Sequence, residues 1–402
     1  MSSAQLQESV VWQEIDSLLA GLNPDQDVAT LMPLCAALEA KIRTRSLSSG
    51  RRKGEVLRAL FRLLDLKETR LLLRVVRIML LITKTGPTIA NACKLLFKLS
   101  RDSSNDQFFA DEGINEVLVS LLETSDRHRN TEALVYCCGT IKNITNGAAL
   151  QTKLVDSGAV QALAAILTDI AADLPAAGTD LCRNTDNLLL QATAALRNLS
   201  VQGDHRQVFL SSNLVALLAG LLISHAESHA LMLNVSRIFS KLTLHSDCRA
   251  ALSAVPAAIP RMHSICIRHR SHRPLVVRFL FTLGNLTATD PRNRHILFQA
   301  SSSGESLLQL LEHFALDLLP SDGSIGSHGD AAGKTGGQGN GGIDSQGLQE
   351  SENALVKLVR VVANLCIDPS IGASFCVAGG CTTACPAPVD PCGLTPAHLY
   401  AS

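Results

Sequence analysis

A chain of 402 residues that is 46% apolar but only 3% aromatic must build its core from Leu, Ala, Val and Ile, which suits closely packed helices. Its 36 basic and 36 acidic residues cancel, so bulk attraction to nucleic acid or an acidic membrane is not expected, and only local patches stay open. Glu8, Glu14 and Asp16 stand where a signal peptide would need a basic and then an apolar stretch, and Arg74 and Arg77 interrupt the most apolar window, Leu71–Ile82. These features predict a soluble, cytoplasmic chain with no membrane insertion. Several of the twelve cysteines, among them Cys93, Cys137 and Cys138, lie in apolar helical text and read as buried thiols in a reducing compartment. Glycosylation sequons at Asn143, Asn198, Asn234 and Asn285 fall within or at the ends of predicted helices and read as structural.

Residues 1–46 predict an N-terminal helical segment: an amphipathic helix over Val10–Leu19, a turn at Gly21–Asp25, and a second helix from Val28 that Pro33 bends or starts. Residues 47–54 read as a basic polar loop between helices, with a nucleic-acid or localisation signal as the alternative. From Glu55 to residue 319 the text is helical. Glu55–Leu64 and Arg70–Thr83 are helices, and Gly86-Pro87 marks a stop and restart.

A helix end of the form x-L-S/T then recurs, with Cys in the last copy. Its copies are Lys98-Leu99-Ser100, Asn143-Ile144-Thr145, Asn198-Leu199-Ser200, Lys241-Leu242-Thr243, Asn285-Leu286-Thr287 and Asn364-Leu365-Cys366. Successive spacings are 45, 55, 43, 44 and 79 residues, three of them near the roughly 40–47 residue period of helical-repeat units. Two insertions account for the long intervals, a loop near 168–187 and a Gly/Ser-rich segment over 320–347. The second buries too little apolar surface to offset its ordering entropy and is expected to be disordered. Both fall between the second and third helices of a unit. Residues 348–370 form the final repeat helix, and 371–402 a Cys/Pro-rich tail.

After the anchors an apolar pair docks a short first helix, as in Gln107–Ile114, Lys153–Val160 and Gln207–Leu214. Gly113 and Gly158 supply a turn position where positive φ is cheap, and Asn213 does the same less well. Leu-rich second helices follow at Val117–Leu122, Val160–Leu167 and Leu214–Ile223. The unit around Ala257 lacks the glycine turn. This three-helix pattern, over roughly residues 70–370, resembles the armadillo repeat. The resemblance implies an all-α, right-handed armadillo (ARM/HEAT-like) helical-repeat solenoid, which presents a binding surface rather than a catalytic centre.

In such a solenoid the third helices line the concave face. The resemblance implies that the Asn before the last Leu forms a ladder toward an extended partner's backbone. Here the rungs are Asn143, Asn198, Asn285 and Asn364, with Lys98 and Lys241 at the other two positions. A side-chain amide both donates and accepts, so it suits this task, but it equally suits capping its own helix and supporting the next turn. Lys94, Arg237, Arg278, Lys357 and Arg360 lie a turn or two earlier and, with Lys98, Lys241, Arg74 and Arg77, outline a basic groove that would prefer an acidic segment. The wet side of amphipathic helices is the other reading.

Catalytic, cofactor and metal sites are not expected. His263, Cys266, His269 and His272 make a loose spiral along one helix. Cys376, Cys381, Cys385 and Cys392 match no common zinc spacing, and Gly333-Lys334-Thr335 lacks the rest of a phosphate loop.

One stretch goes beyond the generic repeat. Asn91–Asp106, reading N-x-C-K-L-L-F-K-L-S-R-x-x-x-N-D, resembles the armadillo region of a ciliary armadillo-repeat family, as does the helix end Tyr136–Asn143. That resemblance implies a non-enzymatic cargo adapter or assembly factor for axonemes of motile cilia or flagella. Its partners would be radial-spoke or other axonemal components and the intraflagellar transport machinery, and it carries over no cofactor. A permanent structural subunit and a general peptide-binding armadillo protein are the alternatives. A lone Trp12, outside the repeats, argues against a nuclear-transport receptor with its Trp array.

Overall fold

A computed structural model describes residues 3–44, 50–83, 86–172, 180–319 and 345–378. The described chain is the expected all-α repeat solenoid, in two compact units, Met1–Arg261 and Met262–Ser402.

In the first unit, α1 (Ser3–Gly21), α2 (Val28–Thr44), α3 (Gly50–Arg62) and α4 (Thr69–Ile82) close around Leu31, Leu38, Leu60, Leu71 and Val75. Gly50–Gly54, expected in a loop, instead form the first turns of α3, because the basic side chains find partners there. Arg52 reaches Asp16 at 2.7 Å and Glu55 at 3.1 Å, and its guanidinium lies 5.1 Å from the centre of the Trp12 ring. The rest of the expected loop, up to residue 49, lies outside the described residues.

Pro87, at the first turn where its missing N–H costs nothing, opens α5 (Pro87–Leu99) behind Gly86, whose φ is 91°. Three-helix units follow: α6 (Asp106–Asp111), α7 (Ile114–Thr124) and α8 (Arg127–Ile144); α9 (Ala148–Asp156), α10 (Ala159–Ala172) and α11 (Asp180–Leu199); α12 (Arg206–Ser211), α13 (Leu214–Ser224) and α14 (His229–Leu242). Another begins with α15 (Ser246–Ser253) and α16 (Ala258–Arg268), and the division between the two units falls within α16. The third helices α5, α8, α11 and α14 pack on one another in sequence, and the buried Ala192 and Ala195 let α11 approach closely. The expected insertion near 168–187 is narrower than predicted: Thr168–Ala172 continue α10, Asp180–Asn187 belong to α11, and only 173–179 lie outside the described residues.

The turn between first and second helices requires a left-handed residue. Gly113 (φ 59°), Gly158 (φ 91°) and Asn213 (φ 54°) supply it. Asn213 is exposed and its side chain caps nothing, so its Cβ brings only strain. Asn213→Gly is therefore expected to raise the unfolding free energy by about 0.5 kcal/mol, measured by urea denaturation.

The second unit repeats the plan with α17 (Arg273–Thr289), α18 (Pro291–Ala300), α19 (Glu305–Leu318), α20 (Ser345–Cys366) and α21 (Pro369–Ala378). Phe279, Leu283, Leu310, Phe314, Leu358 and Leu365 fill its core. The helices flanking the Gly/Ser-rich insertion, α19 and α20, pack directly on each other. Residues 320–344 of that insertion lie outside the described residues, and α20 begins at Ser345 rather than at 348. The expected tail beginning at 371 is displaced by α21. The Asp368 carboxylate accepts the Ser370 N–H at 3.0 Å, and Phe375 meets Phe298 edge-on at 5.7 Å. Phe375 follows Cys366 by nine residues, as Phe109 follows Ser100.

Candidate functional site

The recurring helix end is a staple between consecutive third helices. In the first unit Asn198 Nδ2, near the end of α11, donates to Lys142 O at 2.8 Å and to Thr145 Oγ1 at 3.0 Å, both at the end of α8. In the second unit Asn364 Nδ2 donates to Gly284 O at 2.8 Å and Thr287 Oγ1 at 3.2 Å, the equivalent atoms of α17. Asn143 Nδ2 reaches Ser100 Oγ at 3.0 Å. At Ser100, Thr145 and Thr287 the hydroxyl that closes the anchor is thus the acceptor for a following third helix's amide, which gives Ser or Thr a role there. Asn198→Ala removes both hydrogen bonds between α11 and α8, each worth about 0.5–1.5 kcal/mol, and is expected to cost about 1–3 kcal/mol in urea denaturation.

These bonds limit what the rungs can offer a partner. Both Asn198 N–H groups point along the stack, and its Oδ1 accepts from Arg197 Nε at 3.2 Å and Nη2 at 3.1 Å. Asn285 is buried, and its Oδ1 accepts from Arg360 Nη2 at 3.2 Å. The sequence had given no such role to Asn234, a buried residue of α14. It staples to α11 through Leu190 O at 3.3 Å and Thr193 Oγ1 at 3.2 Å, while its Oδ1 takes Arg197 Nη1 at 3.0 Å. Asn143, Asn198, Asn234 and Asn285, the four sequon residues, all lie within helices with their side chains engaged.

The cations divide by unit. In the first, the C-terminal halves of α5, α8, α11 and α14 carry Lys94, Lys98, Lys142, Arg197, Arg237 and Lys241 and no carboxylate. Lys94, Lys98 and Lys241 are exposed, whereas Lys142, Arg197 and Arg237 are partly covered. Two rings, Phe97 and Tyr136, stand 5.8 Å apart on this face, with Lys142 Nζ 6.0 Å from the first and Lys94 Nζ 6.0 Å from the second. In the second unit Lys357 Nζ and the Arg360 guanidinium lie 5.6 and 5.8 Å from the centre of the Phe281 ring, and Arg278 is exposed on α17.

Arg74 and Arg77 do not join this face. Both turn inward, where Arg74 pairs with Glu112, just after α6, and with Glu39 on α2, and Arg77 lies 3.0 Å from Glu39 Oε1 and donates to Glu112 O. Lys142 and Arg197 are the residues the sequence reading left out of the candidate site. They occupy the anchor position just before Asn, one place off the rungs. Burial, and then repulsion from Arg197, lowers the Lys142 pKa; burial, and then repulsion from Arg237, lowers that of Arg197.

Among the described residues no three His, Cys, Asp or Glu side chains converge on a metal-sized point. His263 is buried against Ser306 Oγ at 3.0 Å, Cys266 is buried, and the His269 and His272 rings stand 6.2 Å apart. Cys376 is exposed, while Cys381, Cys385, Cys392 and Gly333–Thr335 lie outside the described residues. Cys93 and Cys138 are buried free thiols, pushed by burial up to about 12. No single described helix is long and apolar enough to cross a membrane, although three sharply bent helix pairs match such a span in length and composition alone.

No protein-family model matches the chain. It is 31% identical over 383 residues to armadillo repeat-containing protein 2 of Bos taurus, and 30% identical over 368 residues to the proteins of that name from Mus musculus and Homo sapiens. The alignments cover 92%, 91% and 91% of this chain but only 43%, 41% and 41% of those relatives, so the chain spans less than half their length. A crystal structure of an engineered protein resembles it in fold, with a TM-score of 0.50 at 16% identity over 73% of this chain and 99% of that one. The chain is an armadillo-repeat-fold protein, related at about 30% identity to armadillo repeat-containing protein 2.

Proposed function

We propose that the chain is a non-enzymatic protein-binding scaffold whose third-helix face takes an acidic segment of a partner. The observation that carries this reading is the uncompensated basic face of the first unit, from Lys94 and Lys98 on α5 to Arg237 and Lys241 on α14. Because the Asn198 amide is already committed within the stack, recognition falls to charged side chains more than to a backbone ladder. The second unit contributes Arg278, Lys357, Arg360 and the outer edge of Asn364 to the same kind of surface. The resemblance at Asn91–Asp106, together with the relatives above, supports a role as a cargo adapter or assembly factor for cilium or flagellum axonemes. Radial-spoke or other axonemal proteins and the intraflagellar transport machinery would be its partners, with the cytoplasm and the axoneme as its locations.

A permanent structural subunit is the second reading. It is favoured by apolar side chains left exposed on and after α20, Val356 at 56%, Val359 at 53% and Ile367 at 57%.

Affinity capture of the tagged protein from ciliated and deciliated cells, with a Lys98→Glu/Lys241→Glu variant alongside, tests the proposal. Axonemal or transport components are expected from ciliated cells. The variant should recover them several-fold less while its unfolding free energy moves by no more than about 0.5 kcal/mol. Undiminished capture by the variant would overturn the basic-face reading. Capture of karyopherins or junction proteins, without axonemal ones, would overturn the ciliary assignment.

A further inference from the structure

We propose that the pocket at the ends of α5, α8 and α11, between Lys142 and Arg197, is a subsite for a phosphoryl group carried on a partner's side chain. It rests on the reading that this face binds a partner, and adds which group is recognised and where.

The pocket measures about 310 Å³ and is lined by Arg101, Lys142, Arg197, Ser103, Asn143 and Asn198, with Ser100 and Asn146 completing a wall that has no carboxylate and no apolar side chain. The Lys142 ammonium makes no hydrogen bond or ion pair among the described residues, and its Nζ lies 6.0 Å from the centre of the Phe97 ring. Arg197 is oriented without being neutralised. Its Nε, Nη1 and Nη2 each donate to a neutral amide oxygen, of Asn198 or Asn234, which leaves one further N–H on each of Nη1 and Nη2. The guanidinium is therefore locked in place before any ligand arrives, which removes part of the ordering cost of binding.

Cations in the last turn of a helix have a simpler explanation, since they offset the negative end of the helix dipole. Magnitudes decide between the two. Three helix ends supply roughly half a negative charge each, against the three cations Arg101, Lys142 and Arg197, so about +1.5 remains. The helix-end carbonyls are also occupied: Asn198 covers Lys142 O at 2.8 Å and Asn146 covers Asn143 O at 2.8 Å. A phosphomonoester, at about −1.5 to −2, matches the remaining charge and brings three acceptor oxygens, whereas a carboxylate brings two and a single charge.

Fluorescence anisotropy on the full chain tests this with three labelled Gly/Ser octapeptides, carrying one phosphoserine, one glutamate or an unmodified serine, and with inorganic phosphate as competitor. The phosphoserine peptide is expected to bind, the serine peptide not to, and phosphate to compete. Lys142→Gln should weaken binding about tenfold, the loss of one charge-assisted hydrogen bond, while Lys142→Arg retains it and Lys153→Gln, at an exposed lysine of the first helix α9, changes it less than about twofold. Thermal melts and helical circular dichroism of Lys142→Gln should match the parent, which separates lost binding from lost folding. If that variant unfolds, displacement of the Lys142 side-chain resonance by the phosphoserine peptide in lysine-labelled protein is the deciding measurement, and its absence overturns the proposal. Equal binding of the phosphoserine and glutamate peptides, no binding of the former, or equal sensitivity to Lys153 and Lys142 also overturns it. Capture of partners that is lost in Lys98→Glu/Lys241→Glu but intact in Lys142→Gln would remove this subsite and leave the basic face standing.

Discussion

Replacing Glu112 with Gln is expected to cost the first unit about 3–5 kcal/mol, the range for breaking one side of a buried ion pair. Glu112 is fully buried, and its carboxylate takes Arg70 Nε at 2.7 Å and also Arg74, while its backbone carbonyl takes Arg77. Arg74 and Arg77 are themselves largely covered, at 19% and 13% exposure, so neither recovers full hydration when its partner is lost. Glu39 holds the same pair of arginines from α2. The cluster therefore fastens the N-terminal helices to the first complete three-helix unit, and Gln keeps the shape of Glu112 while removing the charge. Urea denaturation, read by hydrogen exchange on α2, α4 and α7, checks this. A loss below about 1 kcal/mol would show that the arginines reach water and that the cluster is incidental.

Acid should loosen the second unit through His263. Burial depresses its pKa from 6.5 to about 4. The ring is thus neutral in the folded state at pH values where the unfolded chain has already taken up a proton. Its contribution is complete above pH 6.5 and is lost as pH falls through that value toward 4. By pH 4 the loss amounts to about 3 kcal/mol. Carboxylates also titrate in this range, so the informative quantity is the difference between the parent and His263→Gln, which keeps a polar group for Ser306 Oγ. Stability of the parent should fall more steeply between pH 7 and 4, read as hydrogen exchange in α19. Parallel pH profiles for the two proteins would assign the acid sensitivity elsewhere.

Much of the fold was legible because it repeats. Each anchor closes a third helix, and each left-handed turn residue, Gly113, Gly158 or Asn213, lies at the same distance from its neighbours in the unit. Phe375, nine residues after Cys366, marks α21 as Phe109 and Phe209, nine residues after Ser100 and Ser200, mark α6 and α12. The site was less legible. Lys142 and Arg197 sit beside the rung position, and nothing in a single anchor distinguishes a lysine held over a ring from one in open water.

The sequence by itself determined the all-helical repeat, the places where it is interrupted and the identity of its third helices. Those features follow from local propensity, apolar period and turn chemistry, which act within one unit. Tertiary structure alone decided what the charged and amide side chains do. Asn198 and Asn364 spend their donors on the preceding third helix, and Arg74 and Arg77 turn inward to Glu39 and Glu112. Lys142 and Arg197 share one pocket although 55 positions separate them. Their roles depend on electrostatic and hydrogen-bond partners a full repeat away, and no local pattern specifies which atoms a neighbouring repeat will place within reach.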